Sequence, residues 1–341
     1  MAMAGRAIDP VAKLLRAKPE AFALNNVWAV TGRAFVRRAI ERERPDVVVA
    51  TIPPPSALFA TVAVTHEPPL LADVRDLWAG NPYYDRGSRV LARLQGRALG
   101  RAAAVVTVTE GCRETLLGLH PELAHRLHVL PNGFDPVLLD RRAPKPRPGD
   151  PATLTYAGAL YGGRTAEPLV DALASPRLRG RVRLELVGVV DPRTRRAIAR
   201  ASDAAVTVEP PVGWEGAIAR VLDADVAVVI TTPSTGGDMA LPTKLFEALA
   251  LGRPVLALAS PGSDTARLLQ RLGQDDGLAE PDDPAGIVAA IVRLFENPPP
   301  AVPREALANY DRDRIATRYA ALLDELATRS RSATSSGTTT S

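Results

Sequence analysis

The residues best placed for chemistry lie in the segment GGDMALPTKLFEALALGRPVLALAS (236–260), whose pattern indicates a loop, a short helix and a strand. Pro242 stands at the predicted start of the helix, and Lys244 falls in its first turn. The helix dipole disfavours a cation there unless an anion faces it. Free amides at a helix start, together with a lysine, form a site for a phosphate or diphosphate. Glu247, about one turn further on, cannot bind phosphate, but its carboxylate suits sugar hydroxyls.

Two glycine-containing loops precede predicted helices in the second half of the chain. TTPSTGGDMAL (231–241) leads into the helix just described, and YAGALYGGRT (156–165) follows an earlier predicted strand. Neither loop has the G-x-G-x-x-G spacing of a dinucleotide site, and neither ends in the lysine and hydroxyl residue of a P-loop. The pattern therefore argues against a nicotinamide dehydrogenase and against a P-loop NTPase.

The elements that must position these loops follow an alternating pattern. Short β-branched segments alternate with amphipathic helical stretches, as in a parallel sheet with helices on both faces. In the first half we predict strands at 45–50, 70–74, 103–108 and 127–131. In the second half we predict strands at 153–158, 182–188, 205–210, 225–230 and 254–259. We therefore expect an α/β protein of two doubly wound, Rossmann-like domains facing a cleft, with the ligand at the carboxyl ends of the strands.

Composition limits the function classes. The net charge is +4, but only four of the 42 basic residues are lysines, and the arginines are scattered among 38 acidic residues. No basic block interleaved with aromatic residues is present, so we expect no nucleic-acid partner. The single cysteine, Cys112, excludes an internal disulfide, and no uninterrupted apolar run reaches membrane-spanning length. We expect a cytoplasmic protein that is soluble or peripherally attached, at the inner face of the membrane in the second case.

Several segments, in order, resemble the retaining glycosyltransferases of family four, which have the GT-B fold, and within them the group 1, WbuB-like enzymes. The similarity covers nearly the whole chain. RPDVVVATIPPPSALFA resembles an N-domain strand with its proline turn, LLADVRDLWAG the acceptor-side strand and loop, and AAAVVTVTEGCRETLLGL the last N-domain strand and helix. HVLPNGFDP resembles the interdomain signature, and LTYAGALYGGRTAEPLVDAL the start of the donor domain.

The resemblance implies a domain organisation. We expect an acceptor-side domain at 1–140, a linker at 141–152, a nucleotide-sugar domain at 153–300 and a helical stretch at 301–328 that crosses back to the first domain. The tail at 329–341 is polar and of low complexity, so we expect it to be disordered. Residues 1–43 show helical periodicity where the family begins with a strand and a glycine-rich loop, so we expect the N-terminal lobe to lack its first strands.

The resemblance also implies roles for individual residues. The catalytic residues are Arg164 and Lys244 on the diphosphate and Glu247 on the ribose. The donor-binding residues are Gly158, Gly163, Asp238, Met239, Leu241, Pro242 and Thr243. The acceptor-side residues are Asp73 and Asp76. The family motif has two glutamates, and the first falls on Met239, with Asp238 adjacent to it. The expected donor is a nucleotide sugar, the acceptor a saccharide, lipid-linked compound or small molecule, and no metal or other cofactor is implied.

Structural explanations and other functions stay open. Arg164 has the spacing to pair with Glu167, and Asp73 or Asp76 could cap a helix rather than touch substrate. The transferred sugar would go to polysaccharide, glycolipid or a glycosylated metabolite, with retention at the anomeric carbon. A non-catalytic GT-B subunit that supports a partner enzyme is one alternative, encouraged by Met239 and the missing first strands. A nucleotide-sugar 2-epimerase is the other, since it shares the two-domain fold.

A basic stripe indicates where such an enzyme would work. Arg89, Arg93, Arg97 and Arg101 recur every four residues, so on a helix they form one face. We expect Val90, Leu91, Leu94, Ala98 and Leu99 to form the apolar face behind it. The stripe is either a solvated surface or a contact with anionic lipid headgroups. A second cluster in the same lobe, Arg33, Arg37 and Arg38 beside Trp28 and Phe35, would add to that contact.

Overall fold

The chain forms two compact units with one parallel sheet each. Unit 1 comprises Met1–Pro131 and Ala316–Ser341, and unit 2 comprises Asn132–Ile315. The computed structural model describes residues 19–64, 68–81, 88–142, 150–161, 163–201, 204–231 and 237–336. The two sheets confirm the predicted α/β class with two Rossmann-like domains. The division falls after Pro131, whereas the sequence break led us to place it at 141–152.

Unit 1 contains a four-stranded parallel sheet in the order β1-β2-β3-β4. Its elements up to the boundary are α1 (Pro19–Glu43), β1 (Val48–Ile52), α2 (Pro55–Val62), β2 (Leu70–Val74), α3 (Arg89–Leu99), β3 (Ala104–Thr107), α4 (Glu110–Leu119), a 3₁₀ helix (Pro121–Arg126) and β4 (Leu127–Val129). Within the described residues a helix, not a strand, precedes β1, in agreement with the helical periodicity of the sequence. β1 starts later than predicted. Pro45 has no backbone N–H to donate to a neighbouring strand, and pairing begins at Val48, whose N–H donates to Pro69 O.

Unit 2 contains a six-stranded parallel sheet in the order β10-β9-β8-β5-β6-β7. Its first elements are α5 (Val137–Asp140), β5 (Ala152–Ala157), α6 (Glu167–Leu173), β6 (Val182–Val187), α7 (Pro192–Arg200), β7 (Ala205–Glu209), α8 (Trp214–Asp223) and β8 (Val226–Ile230). They are followed by a 3₁₀ helix (Gly237–Met239), α9 (Thr243–Ala250), β9 (Val255–Leu258), α10 (Asp264–Arg271), a 3₁₀ helix (Asp275–Gly277), β10 (Leu278–Ala279), α11 (Pro284–Glu296) and a 3₁₀ helix (Glu305–Tyr310).

The central strands of the unit 2 sheet are buried on both faces, whereas the edge strand β7 is mostly exposed. β8 shows why the central strands read as continuous apolar runs. Val226, Val228 and Ile230 belong to the core on one face. Ala227 and Val229 belong to the core on the other. Successive side chains of a strand point to opposite faces, so a strand covered on both sides needs apolar residues at every position. The same arrangement brings the loops after the strands to one edge of the sheet.

The last helix, α12 (Arg312–Ser336), packs on unit 1. Leu322 and Leu326 lie in one apolar cluster with Leu71, Val106 and Leu130 of that sheet. The helix continues through residues 329–336, so the expectation of a disordered tail is wrong there; residues 337–341 lie outside the described chain. The added turns are supported by ion pairs between Arg329 and Glu325, one helical turn apart, and between Arg331 and Asp46.

Helix α3 presents a mixed outer face. Leu91, Ala98 and Leu99 are buried as predicted. Val90 and Leu94, which we expected on the packed face, are instead exposed beside the arginines. Helical geometry explains the difference. At about 100° per residue, Val90 and Leu94 lie about 100° and 140° around the helix from Arg89, on the side of the arginines. The buried Leu91, Ala98 and Leu99 lie about 180° to 280° from it. None of the described helices is long and apolar enough to span a membrane.

Candidate functional site

The predicted donor residues lie where the strand order of unit 2 reverses. β5 is flanked by β6 on one side and β8 on the other, so the connections leave the sheet in opposite directions. Gly158, Gly163 and Arg164 follow β5, and the segment from Asp238 to Thr243 follows β8. In doubly wound sheets this switch point opens a crevice at the carboxyl ends of the strands, where ligands bind.

Lys244 reaches from α9 to the end of β5. Its Nζ donates a hydrogen bond to Ala157 O at 3.0 Å and lies 4.0 Å from the centre of the Tyr156 ring. Burial and the positive charge of Arg164 together lower the pKa of Lys244 to about 8, although the Glu247 carboxylate acts in the opposite direction. The amine is thus poorly solvated and gains from an anion more than an exposed lysine would.

Gly158 makes room for this lysine. A Cβ on Gly158 would lie 2.4 Å from Lys244 Nζ. The backbone of Gly158 also has a φ of +143°, which residues other than glycine rarely adopt. The sequence analysis missed Gly188, which packs against Gly158. A Cβ on Gly188 would lie 2.2 Å from Gly158 O. The only signal for Gly188 was its place directly after β6. Two neighbouring strand ends therefore need glycine so that the backbone and Lys244 can approach.

Arg164 is positioned by aromatic stacking and not by the ion pair that its spacing allowed. Its guanidinium lies over the Tyr161 ring, 5.1 Å from the centre. Glu167 instead accepts hydrogen bonds from Arg193 at 2.7 Å and Arg200 at 3.1 Å. Gly163, with a φ of +93°, forms the turn just before Arg164. The arginine therefore keeps its charge near Lys244, uncompensated by Glu167.

The start of α9 differs from the prediction by one residue. Pro242 is the N-cap, with extended backbone angles, and Thr243 is the first helical residue, whereas the sequence led us to place the proline inside the helix. The reason is that ψ of Pro242 is 139°, which continues the incoming loop. A proline N-cap has no side-chain acceptor for the amides of the first turn. Those amides are left for water or for an anion.

The segment before α9 carries the remaining donor-side candidates. Asp238 is exposed, and Met239 and Leu241 are half-buried. The segment is tied down by Thr265, whose hydroxyl donates to Ala240 O at 2.7 Å. Residues 232–236, the rest of this loop, lie outside the described chain. Met239, at the position of the family's first glutamate, offers a thioether that cannot accept sugar hydroxyls as a carboxylate does.

Glu247 is held by a residue that the sequence did not suggest. Its Oε1 accepts a hydrogen bond from Trp214 Nε1 at 2.9 Å. Glu247 and Lys244 also line one small cavity of about 40 Å³, with Ala157 at its rim, so the two charged side chains lie side by side. Trp214 opens α8, and nothing in the sequence pattern indicates that α8 packs beside α9.

The acceptor-side candidates belong to unit 1. Asp73 lies inside β2, is buried, and pairs with Arg75 at 3.4 Å. Burial raises the pKa of Asp73, and the Arg75 charge opposes that rise. Asp76 is exposed in the following loop. Neither caps the next described helix, because Ser88 is the N-cap of α3 and accepts from Leu91 N.

Asp73 also lies close to helix α12. Burial and the negative charge of Asp73 together raise the pKa of Tyr319 to about 12, with the Arg75 charge acting in the opposite direction. The Asp73 carboxylate thus has an ion-pair partner, Arg75, and a nearby tyrosine, Tyr319, both within unit 1. Among the described residues no group of three or more histidines, cysteines, aspartates and glutamates could hold a metal ion.

Two protein families match the chain, one on each half. The glycosyl transferase 4-like domain matches residues 7–133, and glycosyl transferases group 1 match residues 151–297. No curated protein matches the chain.

Solved structures share the fold at low sequence identity. A glycosyltransferase from Rickettsia africae is 13% identical, with a TM-score of 0.66 over 87% of this chain and 81% of its own. HepE from Anabaena, in complex with UDP and glucose, is 18% identical, with a TM-score of 0.63 over 85% and 81%. The pneumococcal O-GlcNAc transferase GtfA, in complex with UDP and GlcNAc, is 14% identical, with a TM-score of 0.61 over 86% and 60%. Each half of the chain thus carries one glycosyltransferase domain family, and the chain is a glycosyltransferase with the GT-B fold that the solved structures share.

Proposed function

We propose that this chain transfers a hexose from a nucleotide diphosphate to an acceptor hydroxyl with retention at the anomeric carbon. The observation that carries the proposal is the meeting of Lys244 and Glu247 at the switch point of unit 2, beside a helix start with no side-chain cap. Lys244 and the first amides of α9 hold the diphosphate, and Glu247 holds the ribose hydroxyls. Gly158 and Gly163 let the backbone approach the donor.

The leaving group explains why the site is basic. When the bond from the sugar to the diphosphate breaks, negative charge grows on the phosphate oxygens. Lys244, Arg164 and the helix amides are positioned beforehand to stabilise it, which is commonly the largest contribution of an enzyme. Because Lys244 is buried, its charge acts through a medium of low dielectric constant, where it is stronger than in water.

Retention follows in this proposal from the scarcity of carboxylates. The described residues of the site offer Glu247, which binds Trp214, and Asp238, which is exposed. A two-step mechanism needs a carboxylate beneath the anomeric carbon as nucleophile and a second one as acid and base. Without that pair, the departing diphosphate oxygen is the base that takes the acceptor proton. That oxygen lies on the face of the sugar from which the diphosphate departs. The acceptor therefore bonds to the anomeric carbon from the same face, and the configuration is retained.

The test is a transfer reaction with a panel of UDP-, GDP- and ADP-hexoses and saccharide, lipid-linked and small-molecule acceptors. The expected product is a glycoside whose anomeric configuration, read from its proton NMR coupling constant, equals that of the donor. An inverted product contradicts retention. Epimerised nucleotide sugar formed with no acceptor present supports the epimerase, and donor binding without any turnover supports a non-catalytic subunit.

For the acceptor side we propose contact with an anionic membrane surface, which would bring a lipid-linked acceptor to the enzyme and place it at the inner face of the membrane. The exposed face of α3 carries Arg89, Arg93 and Arg97 with Val90 and Leu94 between them. Those three arginines form no ion pair with any acidic residue in the described ranges, so their charges are available to headgroups. Trp28 and Phe35 of α1, with Arg33, Arg37 and Arg38, form a second exposed cluster in unit 1. Asp73 and Asp76 remain the acceptor-side candidates of this unit.

A further inference from the structure

We propose that Trp214 is a positioning residue for Glu247 and thereby sets the preference of the site for a ribonucleotide over a 2′-deoxyribonucleotide. The inference rests on the proposed function, because it assumes that Glu247 receives the ribose hydroxyls. Its basis is the hydrogen bond of 2.9 Å from the indole Nε1 to one carboxylate oxygen, Oε1. This bond joins α8 to α9, two helices that are separate in the sequence.

The bond leaves the carboxylate able to bind a diol. A carboxylate accepts at about four positions, two on each oxygen. The indole occupies one position on Oε1, so Oε2 and the rest of Oε1 stay open for two hydroxyls. A glutamate side chain turns freely about its last bond when nothing holds it. A donor fixed on Oε1 removes that freedom before the ligand arrives, which lowers the entropy lost on binding.

The indole is itself held in place, although 41% of Trp214 is exposed. The Arg141 guanidinium lies over the ring at 5.9 Å from its centre. Arg141 is fixed in turn by two hydrogen bonds to Glu215, the residue next to Trp214. A tryptophan that merely covered apolar surface would need neither this cation nor an N–H directed at a carboxylate. The two contacts fix the ring plane and the direction of Nε1.

The decisive variant is Trp214→Phe, which keeps an aromatic ring and removes the N–H. The probes are UDP, GDP, ADP and CDP with their 2′-deoxy counterparts, titrated by calorimetry. We expect the affinity for the ribonucleotides to fall about tenfold and that for the deoxynucleotides to change less than about twofold, because only the former use both hydroxyls. Trp28→Phe, an exposed tryptophan in unit 1, is the matched control and should leave all affinities unchanged.

Coupling between the two residues separates positioning from simple packing. In a Glu247→Ala background, Trp214→Phe should have no further effect on ribonucleotide affinity, because the carboxylate it orients is gone. An unchanged ribose preference in Trp214→Phe overturns the inference, as does tighter ribonucleotide binding, which would mean that the indole masks Glu247. A wild-type chain that binds none of these ribonucleotides and none of their 2′-deoxy counterparts overturns the proposed function, and this inference with it. Thermal unfolding of each variant shows that the comparison is made on folded protein.

Discussion

At the scale of single residues, the poorly solvated amine of Lys244 is the most informative feature of the proposed donor site. The sequence indicated Lys244 because a cation in the first turn of a helix needs an anion. It could not indicate the Ala157 carbonyl or the Tyr156 ring, since these belong to β5 and meet Lys244 only through the order of the strands. Trp214 escaped prediction for the same reason. Only the family resemblance implied that Arg164 acts beside Lys244. The residue pattern of one segment predicts that segment's own helix or strand. Contacts between segments depend on the order of the strands in the sheet, which the pattern does not give.

The lowered pKa of Lys244 predicts a pH dependence of donor binding. In the free protein the amine loses its proton near pH 8, whereas a bound diphosphate favours the charged form. Affinity for a nucleoside diphosphate should therefore be highest below pH 8 and fall as the pH rises above it. Calorimetric titrations between pH 7 and 9.5 measure this. Lys244→Met should bind weakly at every pH with a flat profile, and a flat profile in the wild type would refute the assignment.

At the scale of elements, nine of the strands follow from the sequence to within a few residues, because each is a run rich in apolar and β-branched residues. The strand β10 was not predicted, because its two residues are too few to show the residue pattern of a strand. The start of α9 was misplaced by one residue because a proline suits both the cap and the first turn. Asp73 lies within β2, as the predicted strand at 70–74 implies, whereas its ion pair with Arg75 was not predicted; its acceptor-side role stays a prediction.

Helix α3 gives a prediction about the membrane. If its outer face contacts anionic headgroups, the wild type should sediment with phosphatidylglycerol vesicles, less so as salt is added, because screening weakens charge attraction. Arg93→Glu with Arg97→Glu should reduce binding strongly and leave donor affinity intact. Arg177→Glu with Arg196→Glu, the same charge change on exposed arginines of unit 2, should have a small effect. Equal sedimentation of the wild type and the α3 variant would leave only a solvated face.

At the scale of the whole molecule, the first and the last described helices, α1 and α12, belong to unit 1, apart from the first residues of α12, and the proposed donor residues lie in unit 2. Leu326 of α12 is 5% exposed in the cluster with Leu71 and Leu130. Leu326→Ala should lower the free energy of unfolding by about 2 to 4 kcal/mol, from lost burial and the cavity left behind. Thr328→Ala, exposed on the same helix, should change it by less than about 0.5 kcal/mol.

Denaturant unfolding followed by circular dichroism measures this difference. Because Lys244 and Glu247 belong to unit 2, nucleoside diphosphate affinity at low temperature should be the same in Leu326→Ala and in the wild type. Unchanged stability of the leucine variant would show that α12 adds little to unit 1. A large loss of affinity in folded protein would show that the donor site depends on unit 1.

The central claim is that Lys244 and Glu247 form the donor site, and calorimetric titration of nucleoside diphosphates tests it most directly. The wild type should bind at least one of UDP, GDP, ADP and CDP at one site per chain. Lys244→Ala and Glu247→Ala should each weaken that binding by roughly 1 to 3 kcal/mol, the scale of a lost charged hydrogen bond. Glu296→Ala, an exposed glutamate of α11, should bind like the wild type. Unchanged affinity in both donor-site variants would contradict the account.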